Sequence, residues 1–284
     1  MAEITRSANA LHALGVSADH SVAYVLPNLP ETHFTIWGGE AAGVVLAVNP
    51  LLEPDLIIEI LRAAKVRVLV TLAPFPGAEL WSKLAPHLSV LSELRVVALV
   101  AMPYLGSVEE TAVAAAAVSV PDAKFRDRGF PRGDAGPAGR SPGRAAVDHG
   151  ALRIVLLLHR WHDKNRGAHA RQRDFRCLGC GASTREREEP RTYFCGLPLF
   201  HVNAQLATGL LPWMHGDHVL FAAPEGYRGK NLIARFWEIA AHYRIATFSG
   251  VPTIYAACWR RRSATTTSPA LNTQSAALRQ CRPS

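Results

Sequence analysis

Two pairs of side chains at metal-ligand spacing stand out in this 284-residue chain. They are His159-x-x-His162 and Cys177-x-x-Cys180, with 14 residues between the pairs. Two imidazoles and two thiolates make a tetrahedral donor set that suits zinc. Around them Lys164, Arg171, Arg173 and Arg176 could neutralise phosphates of a nucleic acid. No aromatic stacking platform is interleaved with these charges, so nucleic-acid binding is the weaker expectation. Further on, His201 lies in Pro198-Leu199-Phe200-His201-Val202, between a strand-like and a helix-like run. On its own it reads as a histidine packed at a helix start. In Gly250-Val251-Pro252-Thr253 the glycine and proline fix a tight strand-to-helix turn, with Thr253 able to cap the helix or line a pocket. Asn49-Pro50 reads as a turn, and Trp37-Gly38-Gly39 as a close helix contact.

The elements that must position these residues follow from hydrophobic periodicity. The pattern predicts helices over 7–14, 30–42, 53–64 and 77–88, and strands over 21–26, 44–48, 66–72 and 94–100. Order lapses from Thr111 and resumes after Arg191. There the pattern predicts strands over 193–199, 219–222 and 245–248, and helices over 202–214, 232–242 and from Pro252. Strands separated by helices of ten or so residues imply crossovers and a parallel sheet. Residues 126–150 are rich in Gly, Pro, Arg and Ala without periodicity, and such a segment buries too little apolar surface to order itself. The expected organisation is therefore an α/β part over 1–110, an irregular stretch over 111–191, a second α/β part over 192–257 and a tail over 258–284 with no core face.

Charge and cysteine usage follow the same division. The formal net charge is +8, yet residues 124–191 carry 16 Lys and Arg against 8 Asp and Glu, and the tail carries five arginines and no acid. The remainder is mildly acidic. Four of the five cysteines also lie in those two stretches, and only Cys195 sits in ordinary sequence. Five cysteines without a charged head and apolar core at the N-terminus suggest a reducing compartment. The apolar runs are far too short to span a bilayer, so a cytoplasmic location is expected.

The ordinary segments resemble a known family. HALGVSADHSVAYVLPNLPETHFTIWGGEAAGVVLAVNPLLEPDLIIEILRAAKVRVLVTL is similar to the N-terminal region of the AMP-binding, adenylate-forming enzymes, specifically the long-chain acyl-CoA synthetases. EEPRTYFCGLPLFHVNAQLATG and YRIATFSGVPTIYAA resemble two later blocks of that family. The resemblance implies a partial N-terminal domain of the adenylate-forming fold: α/β, with parallel sheets flanked by helices and a disordered middle. It implies an ancestral activity that converts a carboxylate with ATP and Mg²⁺ to an acyl-adenylate, then to a coenzyme A thioester. His201 matches the family position near the acyl pocket and the adenylate, and Gly250, Val251, Pro252 and Thr253 match the turn bordering the acyl site. A small carboxylic acid, fatty or related, is the implied partner.

The family needs a Gly/Thr/Ser-rich phosphate loop between these blocks, whose backbone N–H groups cradle phosphates. The anomalous stretch occupies that interval. Taking the last two bases of each codon with the first of the next, residues 159–163 can encode Thr-Gly-Gly-Thr-Thr, the start of such a loop. Residues 168–178 can then encode His-Thr-His-Ala-Asn-Glu-Ile-Phe-Asp-Ala-Trp. In the remaining frame, residues 258–267 can encode Leu-Leu-Ala-Ser-Pro-Val-Gly-Asp-His-Asp, and residues 272–282 Glu-Tyr-Ala-Val-Cys-Gly-Ala-Ala-Pro-Met-Pro. Both are typical of the family after its GVPT block. The expectation is a frameshifted, truncated acyl-CoA synthetase that is inactive, with no catalytic residue, metal or cofactor of its own. ATP, Mg²⁺ and coenzyme A serve the intact family. The four ligand-spaced residues are then accidents of frame, and no nucleic-acid partner is expected. Two rivals stay open: a basic metal- or nucleic-acid-binding module on an α/β scaffold, and a pseudoenzyme that binds acyl chains.

Overall fold

Short β-branched runs and amphipathic runs alternate over the first hundred residues, and the structure follows them. The computed structural model describes residues 2–74, 78–101, 126–129, 153–156, 166–169 and 189–261. In chain order, α1 (Ala2–Ala13), β1 (Ser21–Val25), α2 (Pro30–Ala42), β2 (Val44–Ala47), α3 (Pro54–Ala63), β3 (Val66–Leu72), α4 (Leu80–Leu84) and β4 (Val96–Val100) are followed by three short strands. These are β5 (Arg126–Gly129), β6 (Arg153–Leu156) and β7 (Arg166–His169). The remaining elements are β8 (Thr192–Phe194), α5 (Val202–Gln205), α6 (Leu211–Met214), β9 (His218–Leu220), α7 (Phe236–His242), β10 (Ile245–Phe248) and α8 (Pro252–Arg260). Two units result: residues 1–26 with 30–172, and residues 27–29 with 173–284.

The first unit holds a seven-stranded sheet in the order β5-β4-β3-β1-β2-β6-β7. Its neighbours are parallel except the β6–β7 pair. Every residue of β1 and β4 is buried, as expected where helices cover both faces of a parallel sheet. On one face Val25, Leu46, Leu69 and Val97 pack with Ile57, Ile60 and Leu61 of α3 and with Trp81 and Leu84 of α4. Burying each such side chain contributes about 1.5–3 kcal/mol. Pro54 at the first turn of α3, followed by Asp55, starts that helix favourably. The helix expected over 77–88 is cut short. α4 passes into a tighter 3₁₀ turn over Ala85–Val90, because Pro86 has no N–H to continue the α ladder.

α2 lies between α1 and the other face of the sheet, and its glycines make that possible. A methyl group on Gly38 would meet Ser7 Cβ at 2.7 Å, and one on Gly39 would meet Val45 and Val22 at 2.5 and 2.8 Å. The contact expected of Trp37-Gly38-Gly39 is therefore present. Asn49 likewise forms its expected turn, its side-chain oxygen accepting from the Leu51 N–H at 2.9 Å.

Three strands, β5 to β7, fall inside the stretch expected to be irregular; Ile154-Val155-Leu156 is an apolar run that can join a sheet by pairing with Val45–Ala47. The rest of residues 111–188 lies outside the described residues, and so does the tail beyond Arg261.

Candidate functional site at the carboxyl ends of three parallel strands

In the second unit β8 pairs in parallel with both β10 and β9, giving the order β10-β8-β9. The three strands thus deliver their following loops to one edge. Open parallel sheets bind ligands at such an edge. Beneath it Phe194, Tyr227, Phe236, Trp237 and Phe248 form an aromatic core, with Phe194 and Phe236 packed edge to face at 5.5 Å.

The loop after β8 carries His201. The strand expected to run to Leu199 ends at Phe194, because Gly196 and Pro198 divert the backbone from the ladder. Here the Gly196 carbonyl accepts from the Tyr227 N–H at 2.9 Å. A methyl group on Gly226, at φ +60°, would come within 2.1 Å of that same carbonyl oxygen, so two glycines allow the loops after β8 and β9 to touch. Asn28 completes the arrangement. Its Nδ2 donates to the Leu197 carbonyl at 2.8 Å and its Oδ1 accepts from the Leu199 N–H at 2.9 Å. Gln205 Nε2 donates to the Leu199 carbonyl at 2.9 Å. The His201 N–H donates to the Pro198 carbonyl at 3.0 Å.

His201 itself occupies the position before α5 in extended backbone, φ −102° and ψ 138°, at the helix start the sequence suggests. Its ring is half-buried and stands 4.5 Å from that of Phe200. The helix expected over 202–214 is interrupted by a π turn at Leu206–Leu210, where Thr208 leaves helical geometry. Pro212 accounts for it: a proline cannot donate to the carbonyl four residues back and crowds it.

The loop after β10 carries Gly250-Val251-Pro252-Thr253. The Gly250 N–H donates to the Tyr255 hydroxyl at 3.2 Å. Val251, extended and nearly half exposed, occupies the cap position, and Pro252 is the first residue of α8. Thr253 is therefore not the cap; it lies exposed in the first turn. α8 continues through Arg260, past the expected boundary at 257. Cys258 is 1% exposed and its carbonyl accepts from Trp237 Nε1 at 2.7 Å, so the first residue of the expected coreless tail does have a core face.

Three side chains absent from the sequence-based set join these loops. Ser249 Oγ donates to Asn203 Oδ1 at 2.7 Å, bringing the residue before Gly250 to within two residues of His201. The Tyr227 hydroxyl donates to the Ser249 carbonyl at 2.8 Å. Asn203 and Ser249 lie inside the motif blocks PLFHVNA and SGVPTIYA, so local pattern marked the segments without marking the partners. Tyr227 carried no signal.

Burial disfavours the thiolate form of both cysteines here. Burial pushes Cys195 up to about 12 and Cys258 up to about 11, far from thiolate formation at neutral pH. Burial also holds Tyr227 well above the ordinary phenol range, keeping it a donor. Among the described residues no cluster of three or more His, Cys, Asp or Glu could hold a metal ion. His159, His162, Cys177 and Cys180 lie outside the described residues. No helix among the described residues is long and apolar enough to cross a membrane.

The chain is similar to known proteins along most of its length. It is 29% identical over 251 residues, 88% of its own length, to a marinolic acid–CoA ligase of Pseudoalteromonas sp. (strain SANK 73390), and spans 36% of that relative. Its fold matches the N-terminal domain of FACL13 from Mycobacterium tuberculosis with a TM-score of 0.65 at 18% identity, covering 95% of this chain and 59% of that one. It also matches the anthranilate CoA ligase AuaEII, solved in complex with anthranoyl-AMP, with a TM-score of 0.64 at 19% identity over 90% of this chain and 43% of that one. The chain thus spans about a third of the length of the curated relative it matches. Residues 1–142, half of the sequence, match the family described as AMP-binding enzyme, and the chain belongs to that family.

Proposed function

We propose that the carboxyl edge of β8, β9 and β10 is the acyl-binding part of an acyl-CoA synthetase, with His201, Gly250, Val251, Pro252 and Thr253 facing a small carboxylic acid, fatty or related. The hydrogen bond from Ser249 to Asn203 carries this reading. It joins the two blocks that resemble the family, which lie some 46 residues apart in sequence, where an open parallel sheet receives ligands. The names of the marinolic acid and anthranilate ligases fit a carboxylic acid as the substrate class.

The chain as it stands forms no acyl-adenylate. Adenylyl transfer from ATP to a carboxylate, with pyrophosphate leaving, relies on positioned N–H donors. The interval that should supply them reads His159-Arg160-Trp161-His162-Asp163-Lys164, where imidazoles and an indole replace glycines and hydroxyls. These residues do not rebuild the glycine and hydroxyl cradle of a nucleoside triphosphate, and none of them is proposed to hold ATP, Mg²⁺ or coenzyme A.

Titration of the purified chain with dodecanoate, beside an ATP–pyrophosphate exchange assay, tests both parts. Dodecanoate should bind, and His201→Ala should weaken it roughly tenfold, the equivalent of one interaction with a charged group. Exchange should stay at background. Exchange above background overturns the inactivity. Unchanged affinity in His201→Ala removes His201 from the site.

A further inference from the structure

We infer that Asn28 is the positioning residue for the His201 loop. It sits 169 residues away from Leu197 in sequence and is 3% exposed. Its amide spans Pro198, donating to the residue before and accepting from the residue after. Proline offers no N–H of its own, so the ladder a neighbouring strand would make is broken at Pro198. The Leu199 carbonyl is held locally by Gln205 Nε2 at 2.9 Å, whereas the Leu197 carbonyl and the Leu199 N–H meet the amide of Asn28. Its own backbone N–H donates to the Pro224 carbonyl at 2.9 Å, so the same residue also holds the loop after β9. Gly226 lies close by: a methyl group there would crowd Asn28 Nδ2 at 3.2 Å, besides its 2.1 Å approach to the Gly196 carbonyl oxygen.

The chemistry requires asparagine. One side chain must be both donor and acceptor at fixed separation. An aspartate has the shape but, when ionised, sets a carboxylate oxygen against the Leu197 carbonyl. Protonated, it regains one donor. Buried and facing a carbonyl, the carboxyl group introduced by Asn28→Asp would take up that proton at a pH above the ordinary carboxylate range.

The consequence for ligand binding rests on the acyl-site reading; the loop geometry does not. Backbone amide exchange and histidine side-chain NMR on the full chain test it. In the wild type the Leu199 amide should be protected at least roughly tenfold relative to an unbonded loop amide. Asn28→Ala should abolish that protection, move the His201 ring resonances and weaken dodecanoate roughly tenfold. The ring signals of Phe194 and Phe236 should stay in place. Asn28→Asp should keep part of the Leu199 protection at pH 7.5, where a carboxylate oxygen still accepts that N–H while opposing the Leu197 carbonyl, and gain more of it at pH 5, where alanine cannot.

An unprotected Leu199 amide in the wild type overturns the assignment without any variant. So does an unmoved His201 ring in both variants, which would leave Asn28 a purely structural residue. If the wild type does not bind dodecanoate, the acyl reading fails. Leu199 protection and the His201 signal then still decide the role of Asn28.

Discussion

Ser249 and Asn203 are joined by a 2.7 Å hydrogen bond in which the serine hydroxyl donates. Asn203 opens the helix behind His201, and Ser249 precedes the Gly250 turn, so one bond couples the loops after two adjacent parallel strands. The bond is exposed, and its net contribution to folding is therefore small, about 0.5–1 kcal/mol. Its contribution to loop geometry is larger. Ser249→Ala should leave the urea midpoint nearly unchanged while lowering dodecanoate affinity several-fold. An equal loss in both measurements would place Ser249 among ordinary stabilising residues.

Gly226 should tolerate no side chain. Its φ of +60° already disfavours an L-residue, and the added methyl group would meet the Gly196 carbonyl oxygen at 2.1 Å. The left-handed conformation alone costs about 1–2 kcal/mol, and backbone atoms cannot step aside as a side-chain tip can. Gly226→Ala should destabilise by more than roughly 2 kcal/mol, read from denaturant unfolding. Gly216→Ala is the control: its φ is +71°, but nothing lies within 4 Å, so only the conformational part should be lost.

Tyr227→Phe isolates one hydroxyl. The ring packs against Phe194 at 5.4 Å and is retained, while the Ser249 carbonyl loses its 2.8 Å donor. Leaving a buried or half-buried acceptor without its partner costs about 1–3 kcal/mol. Thermal unfolding should show that loss, and a Tyr227→Phe variant as stable as wild type would mean that water replaces the phenol.

The first unit was legible because its strands and helices are set by local pattern. α2 over 30–42, β3 over 66–72 and, in the second unit, β10 over 245–248 fall where periodicity puts them. Where local pattern and tertiary demand differ, the outcome was not legible. Pro86 and Pro212 change helix type without ending the buried run. Arg235, at φ −105° and ψ 13°, stands off helical geometry, so α7 begins only at Phe236, although apolar spacing already begins at Leu232. The candidate site was legible as two motif blocks, since a histidine at a strand-to-helix junction and a Gly-Val-Pro-Thr turn are local features. Asn28 was not, because its partners are far away in sequence and a Pro-Asn pair after a strand reads as a simple turn. Cys258 was missed for the opposite reason: the arginines after it mask a helix whose last turns still reach the core.

His33 should make the first unit acid-sensitive. It lies in α2, 1% exposed, and its Nδ1 accepts from Trp37 Nε1 at 3.2 Å, which requires a neutral ring with the proton on Nε2. Burial pushes its pKa down to about 3. The unfolded chain takes up a proton near the ordinary value of about 6.5, and the folded chain does not. The unfolded state thus binds more protons through that interval, and stability falls as pH falls. The contribution is fully present above pH 6.5 and is lost progressively towards about pH 3, at up to about 1.4 kcal/mol per pH unit. Carboxylates elsewhere also titrate in that range, so the informative quantity is a difference between variants. Gln at this position keeps an acceptor for Trp37 and carries no charge at any pH. Going from pH 7.5 to pH 5, His33→Gln should therefore gain about 2 kcal/mol in stability relative to wild type. Parallel pH profiles for the two proteins would show that protonation of His33 does not oppose folding.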